Sequence, residues 1–132
     1  MDRPVPVPSS LDREFWTAAK QGKLVLQQCV GTGKFQWYPR AYSLYVPKGA
    51  VAWVGSPGLG KVVSFSVVAR SFYPDLPAPY ALAVVELDEG IRMTGHIVDT
   101  DLGDIRIGMP TSTVFRPISD DISLPCFAAR AA

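Results

Sequence analysis

The chain has a single histidine and two cysteines among its 132 residues. A closed structural zinc site takes four good ligands, so metal chemistry has almost nothing here to be built from. Charge is scarce as well. Only 19% of residues are charged, and 13 Lys and Arg against 12 Asp and Glu leave a formal net charge of +1. Nucleic-acid modules normally carry a basic excess, which this balance lacks. No apolar run approaches the roughly 20 residues of a spanning helix, and the longest charge-free stretch, Gly49 to Gly60, is broken by Gly and Pro. The start, MDRPVPVPSSLDREF, has no apolar signal core. A cytoplasmic location without membrane association is therefore expected, with Cys29 and Cys126 as free thiols.

What is present is core material and punctuation. Hydrophobic residues make up 48% of the chain, which excludes global disorder. The 11 glycines and 12 prolines favour strands and turns over helices. Residues 1–10 read as an extended Pro-rich lead with Pro4, Pro6 and Pro8. One helix follows. Leu11, Phe15, Trp16 and Ala19 recur at helical spacing, with Ser9 or Ser10 as N-cap, Asp12 and Glu14 in the first turn and Gly22 as a left-handed cap. About ten residues of helix are not stable alone, so its apolar face packs on the rest of the chain or on another protein.

Residues 24–40 read as two short strands around the turn Val30-Gly31-Thr32-Gly33-Lys34. Residues 41–50 are irregular. Beyond them, Ala50–Val54, Lys61–Arg70, Ala81–Leu87, Ile91–Val98 and Thr111–Arg116 are rich in Val, Ile, Phe and Thr between Gly, Pro and Asp clusters. Five strands at this spacing fit a small barrel or sandwich.

Two motif matches fail on mechanism. Gly55-Ser56-Pro57-Gly58-Leu59-Gly60-Lys61 has the spacing of a phosphate-cradling loop, but Val62 stands where Ser or Thr would hold magnesium, and strand residues follow instead of a helix. Asp99, Asp101 and Asp104 resemble the opening of a calcium loop, but Asp104 and Pro110 occupy the positions that need Gly and Glu. His96 and Cys29 have no partner in sequence that would make either a base or a nucleophile. The dense aromatic group Phe35, Trp37, Tyr38, Tyr42, Tyr45 and Trp53, interleaved with Arg40 and Lys48, is too large for a small hairpin to bury. It reads as a partner surface.

The order and spacing of five pieces carry a family resemblance: the helix LDREFWTAAKQGKL, the segment LQQCVGTGKFQWYPRAYSLYVPKG, the link WVGSPGLGKVVSFSVV, the hairpin PYALAVVELDEGIRMTGHIV and the ending LPCF. From about residue 8 to residue 127 the chain resembles the Zn-ribbon plus OB-fold protein family, long described as a domain of unknown function and associated with acyl-CoA enzymes. The resemblance implies a mainly β fold: a five-stranded OB-fold barrel over 50–132, after a Pro-rich lead and docking helix over 1–23 and a rubredoxin-like ribbon hairpin over 24–49. The family's ribbon carries C-x2-C, ten residues, then C-x2-C. Those positions fall here on Cys29, Thr32, Ser43 and Val46. The spacing survives but three thiolates are missing, so no zinc is expected and packing of Trp37, Tyr38, Tyr42 and Tyr45 is expected to hold the ribbon instead.

The resemblance further implies a non-catalytic subunit of a thiolase-type acyl-CoA enzyme, active in thiolysis, acyl transfer or retro-aldol cleavage of CoA esters. Leu11, Phe15, Trp16, Trp37, Tyr38 and Tyr42 would contact a thiolase-family partner, while the OB domain would help to bind or channel the CoA ester. Arg40, Lys61 and Arg70 are candidate contacts for the CoA phosphates. The alternative use of an OB fold is single-stranded nucleic-acid binding, with Phe65, Phe72 and Tyr73 as stacking rings. The near-zero net charge speaks against it.

Overall fold

The computed structural model describes residues 3–131; the first two residues of the expected lead lie outside them. The lead is extended, and the Arg3 backbone N–H donates to Asp75 at 3.1 Å, which ties it to the loop before the second barrel strand. Helix α1 (Arg13–Lys20) starts later than the serines suggested, with Asp12 as its N-cap residue. Ser9 instead builds the turn before the helix: its carbonyl accepts from the Arg13 N–H at 3.0 Å and its hydroxyl accepts from the Leu11 N–H at 3.2 Å. The helix stops where expected. Gly22 takes φ +75°, and this left-handed step lets the Lys23 N–H reach the Ala18 carbonyl and the Gly22 N–H the Ala19 carbonyl, each at 2.9 Å. Phe15 and Ala19 are buried, so the apolar face of α1 packs on the chain itself.

Eight strands follow: β1 (Leu24–Cys29), β2 (Phe35–Gln36), β3 (Val51–Ser56), β4 (Leu59–Val68), β5 (Tyr80–Leu87), β6 (Arg92–Ile97), β7 (Pro110–Pro117) and β8 (Ser123–Ala129). The expected five-stranded barrel is present, closed in the order β4-β5-β6-β8-β7. Its membership differs from the sequence expectation at both ends. The strand at Ala50–Val54, counted first in the barrel, is β3, and it pairs antiparallel with β1 from Leu24↔Ser56 to Cys29↔Val51. It joins β2 and β1 in a separate ribbon sheet. The fifth barrel strand is β8, which contains the LPCF ending. It pairs with β7 over Thr111↔Ala129 to Pro117↔Ser123 and pairs with β6 at the single position Ile97↔Phe127.

The glycine-rich link 55–61 turns between β3 and β4 and leads into strand, as the failed phosphate-loop match required. Gly60 is needed for close approach: a Cβ there would stand 2.5 Å from the Glu86 carbonyl oxygen and 2.9 Å from Val85 Cγ1. At this residue β4 is paired with β5 and β7 at once. One hydrophobic core runs through all three parts, joining Phe15 of the helix and Leu24 and Leu26 of the ribbon to Val62, Val85, Leu87, Met93 and Phe127 of the barrel. No helix among the described residues is long and apolar enough to cross a membrane.

Candidate functional site

The ribbon brings its vacated metal positions together. Cys29 ends β1, and Thr32 lies in the turn that follows. Ser43 stands across the loop, and its side chain, that of Thr32 and the backbone N–H groups of Thr32 and Gly31 surround the Cys29 sulfur as the groups that act on its acidity. Val46 fills the fourth corner, its Cγ2 only 3.5 Å from where a side chain on Gly31 would begin. One thiol, two hydroxyls and a valine do not make a zinc site. Among the described residues no three His, Cys, Asp or Glu side chains gather as metal ligands.

The donors around the sulfur instead favour the thiolate, and hydrogen bonds from Ser43 and then Thr32 lower the Cys29 pKa from 9.0 to about 7. Burial pushes Cys126 the other way. Thiolate absorbance near 240 nm is therefore expected to rise with a midpoint near pH 7, and Cys29→Ser should remove that step; a single titration above pH 9 would refute it. The folded thiol is more acidic than the unfolded one, so its contribution to stability is absent below about pH 7, grows from there toward pH 9 and is full above it.

The ribbon is not held as expected. Tyr38, Tyr42 and Tyr45 are exposed at 61%, 57% and 44%, so they are not its core. Two glutamines are. Gln27 and Gln36 sit opposite one another across β1 and β2 and are both buried. The Gln27 amide donates to the Arg40 carbonyl at 2.9 Å and its oxygen accepts from the Arg40 N–H at 2.8 Å. The Gln36 amide donates to the Gln27 oxygen at 2.9 Å and to the Tyr42 carbonyl at 3.2 Å, while its own oxygen accepts from the Leu44 N–H at 2.9 Å. This network fastens the irregular loop to the hairpin. A polar residue at a buried strand position was its only trace in the sequence, and alternation alone does not reveal a partner.

The remaining candidate residues divide by place. Phe15, expected on the docking surface, is 2% exposed and packs edge-on against Trp16 (5.0 Å between ring centroids) and tilted against Trp37 (4.9 Å). It positions those two rings and is not itself available to a partner. Trp16 and Trp37 are half-buried. Leu11, Tyr38 and Tyr42 are exposed, as are Leu44 and Tyr45 on the same ribbon loop as the two tyrosines. Arg40, Lys61 and Arg70 are all exposed but lie apart, on the ribbon loop, at the start of β4 and just past its far end. Phe72 is 88% exposed in the loop before β5, with half-buried Tyr73 next to it, and Phe65 is half-buried in β4. His96 faces the Tyr80 ring at 5.2 Å and has no hydrogen bond to a nucleophile. In the acidic loop, Asp99 pairs with Arg116, and Leu102–Asp104 forms one 3-10 turn.

Two family profiles match this architecture in register: the ChsH2 rubredoxin-like zinc ribbon domain over residues 16–42 and the ChsH2 C-terminal OB-fold domain over residues 53–116. The chain belongs to the ChsH2 (DUF35) family. Within that family it keeps the ribbon and lacks the cysteines of a zinc site. It is 33% identical over 119 residues to a probable enoyl-CoA hydratase alpha subunit of Thermomonospora curvata, covering 88% of this chain and 37% of that one. It is 46% identical over 67 residues to a DUF35 domain-containing scaffold protein of Methanocaldococcus jannaschii, covering 48% and 46%. The chain thus spans less than half the length of either curated relative. Among solved structures, the Ltp2-ChsH2(DUF35) aldolase superposes with a TM-score of 0.85 at 28% identity, over 95% of this chain and 98% of that one.

Proposed function

We propose that the chain is a non-catalytic subunit of an enzyme acting on CoA esters, docked through its ribbon. The observation that carries this reading is the exposure of Tyr38, Tyr42, Leu44 and Tyr45 together on one loop, fastened by four hydrogen bonds to two buried glutamines that also bond to each other. Tyrosines on a rigid support are what interface hot spots are made of. The names of relatives and neighbour (hydratase alpha subunit, scaffold protein, aldolase) support the class of partner. Within that class we favour a partner of the thiolase family. The barrel would lie beside its CoA site, and Arg40, Lys61 or Arg70 would each contact phosphate only where the partner completes the site. The ribbon works in this scheme without zinc, in the cytoplasm.

The test is capture from the native host with the tagged chain and identification of what is retained. A thiolase-fold or other CoA-ester enzyme is expected. Tyr42→Ala combined with Leu44→Ala is expected to weaken capture about a hundredfold, since truncating a hot-spot pair costs about 2–3 kcal/mol, whereas Phe72→Ala leaves it unchanged. Repeated recovery of no such enzyme, or equal capture by the double variant, would count against the proposal.

A further inference from the structure

Strand β5 is apolar on both faces. Ala81, Ala83, Val85 and Leu87 point into the barrel, and three of the four outward residues, Tyr80, Leu82 and Val84, are apolar as well. An antiparallel strand with one wet face alternates apolar with polar, so this outer face is built to be covered. On the neighbouring β6, His96 stands opposite Leu82 and Thr94 opposite Val84. The helix and ribbon stop short of this surface. The gap is a cleft of about 370 Å³, walled by Trp16, Trp37 and Tyr38 on one side and by Leu82, Thr94 and His96 on the other.

Size and charge together define the occupant. At about 30 Å³ per non-hydrogen atom, the cleft holds about a dozen such atoms. No lysine or arginine lines it, but the Asp12 carboxylate does. Burial works against that carboxylate, yet hydrogen bonds from the Ser9 N–H at 2.6 Å, from the Ser9 hydroxyl and from Trp16 outweigh it and hold the pKa below 3.8. Asp12 is therefore charged at neutral pH. His96 is not: burial, and then the nearby Arg3, lower its pKa from 6.5. An anion entering the cleft would meet a carboxylate and no lysine or arginine in the walls, the nearby Arg3 being paired with Asp75, while a neutral molecule would meet aromatic walls, a hydroxyl and a neutral imidazole. That composition, mostly apolar with a few convergent polar groups, is typical of small-molecule pockets.

We propose that this cleft binds a neutral, compact apolar group of about a dozen heavy atoms whose one carbonyl or hydroxyl oxygen pairs with Thr94 or His96. Every wall comes from this chain, so the site does not depend on the docking reading above. The group has two sources, a free neutral compound or the acyl end of a thioester.

The full chain, alone, is titrated with 1-decalone, a bicyclic ketone of the right size, and read by tryptophan fluorescence, since Trp16 and Trp37 line the cleft. Saturation at or below about 1 mM is expected for a ligand of this size. Decalin-2-carboxylate should bind at least tenfold more weakly. Thr94→Phe, which fills the cleft from an exposed strand position, should weaken decalone at least tenfold with an unchanged unfolding temperature. Leu82→Glu, which brings a second carboxylate to the wall, should do the same and covers the case in which Thr94→Phe fails to fold. The N-acetylcysteamine thioester of the same acid assigns the source: binding as tight as the ketone marks an acyl group, weaker binding a free compound. No saturation, equal affinity for the carboxylate, or undiminished binding by both variants overturns the proposal. Partner capture is read separately, so each idea fails on its own.

Discussion

Gln36→Glu is expected to destabilise the protein by about 3 kcal/mol at pH 8, although it changes the shape of the side chain hardly at all. The Gln36 amide N–H₂ faces two acceptors, the Gln27 side-chain oxygen and the Tyr42 carbonyl. A carboxylate there would turn two donor–acceptor pairs into oxygen–oxygen contacts in a buried place, and a buried polar group left unpaired costs about 1–3 kcal/mol, more when charged. Thermal unfolding should therefore begin about 10 °C lower, at a few degrees per kcal/mol for a domain of this size. Protonation would restore one donor, so the carboxyl pKa of the variant is raised in the folded state. Its stability should accordingly recover as the pH is lowered toward 5 and fall again as the pH rises through that pKa. Proteolysis should first cut within 37–49, because the Leu44 N–H, the Tyr42 carbonyl and the Arg40 pair hold that loop. A variant as stable as the parent at pH 8 would show that the network does not hold the ribbon.

Phe127→Ala should cost about 4 kcal/mol, the usual range for removing a fully buried ring. Phe127 is 0% exposed. It also sits where the barrel is least well stitched. β8 meets β6 at the single parallel pair Ile97↔Phe127, helped by the Val98 N–H donating to the Phe127 carbonyl at 2.8 Å. The other ladders are longer, from three pairs between β4 and β7 to eight between β4 and β5. Closure between β6 and β8 therefore rests on side-chain packing more than on backbone pairing. Chemical denaturation should show the loss as a lower midpoint, while Phe72→Ala, at an 88% exposed position, stays within about 0.5 kcal/mol. Equal stability of the two variants would mean that closure does not depend on the ring.

Much of this was legible in the chain. The helix end at Gly22, the hairpin of β1 and β2, most of the strands and the surviving ribbon spacing all follow from local signals: a residue that tolerates positive φ, apolar spacing, and the residue types at turns. The two failures of strand membership share one cause. Alternation says which face of Val51–Ser56 or Ser123–Ala129 is apolar but not which strand lies alongside, because pairing is settled by register and closure over residues far apart in sequence. Pro125 lies within β8, a residue type that local strand signals disfavour. Phe15 looked like an exposed anchor because a short amphipathic helix does not reveal what covers it.

Of the candidate site, the sequence supplied the aromatic residues and the missing cysteines, together with the near-neutral charge that disfavours nucleic acid. Those depend only on residue identity and spacing. Only the tertiary structure decided that two glutamines hold the ribbon, that the hydroxyls of Thr32 and Ser43 gather on the Cys29 thiol, and that a cleft opens between the rings and the outer face of β5. Each of these needs groups from separate elements to converge within a few ångströms, and hydrogen-bond geometry and cavity shape are properties of that convergence.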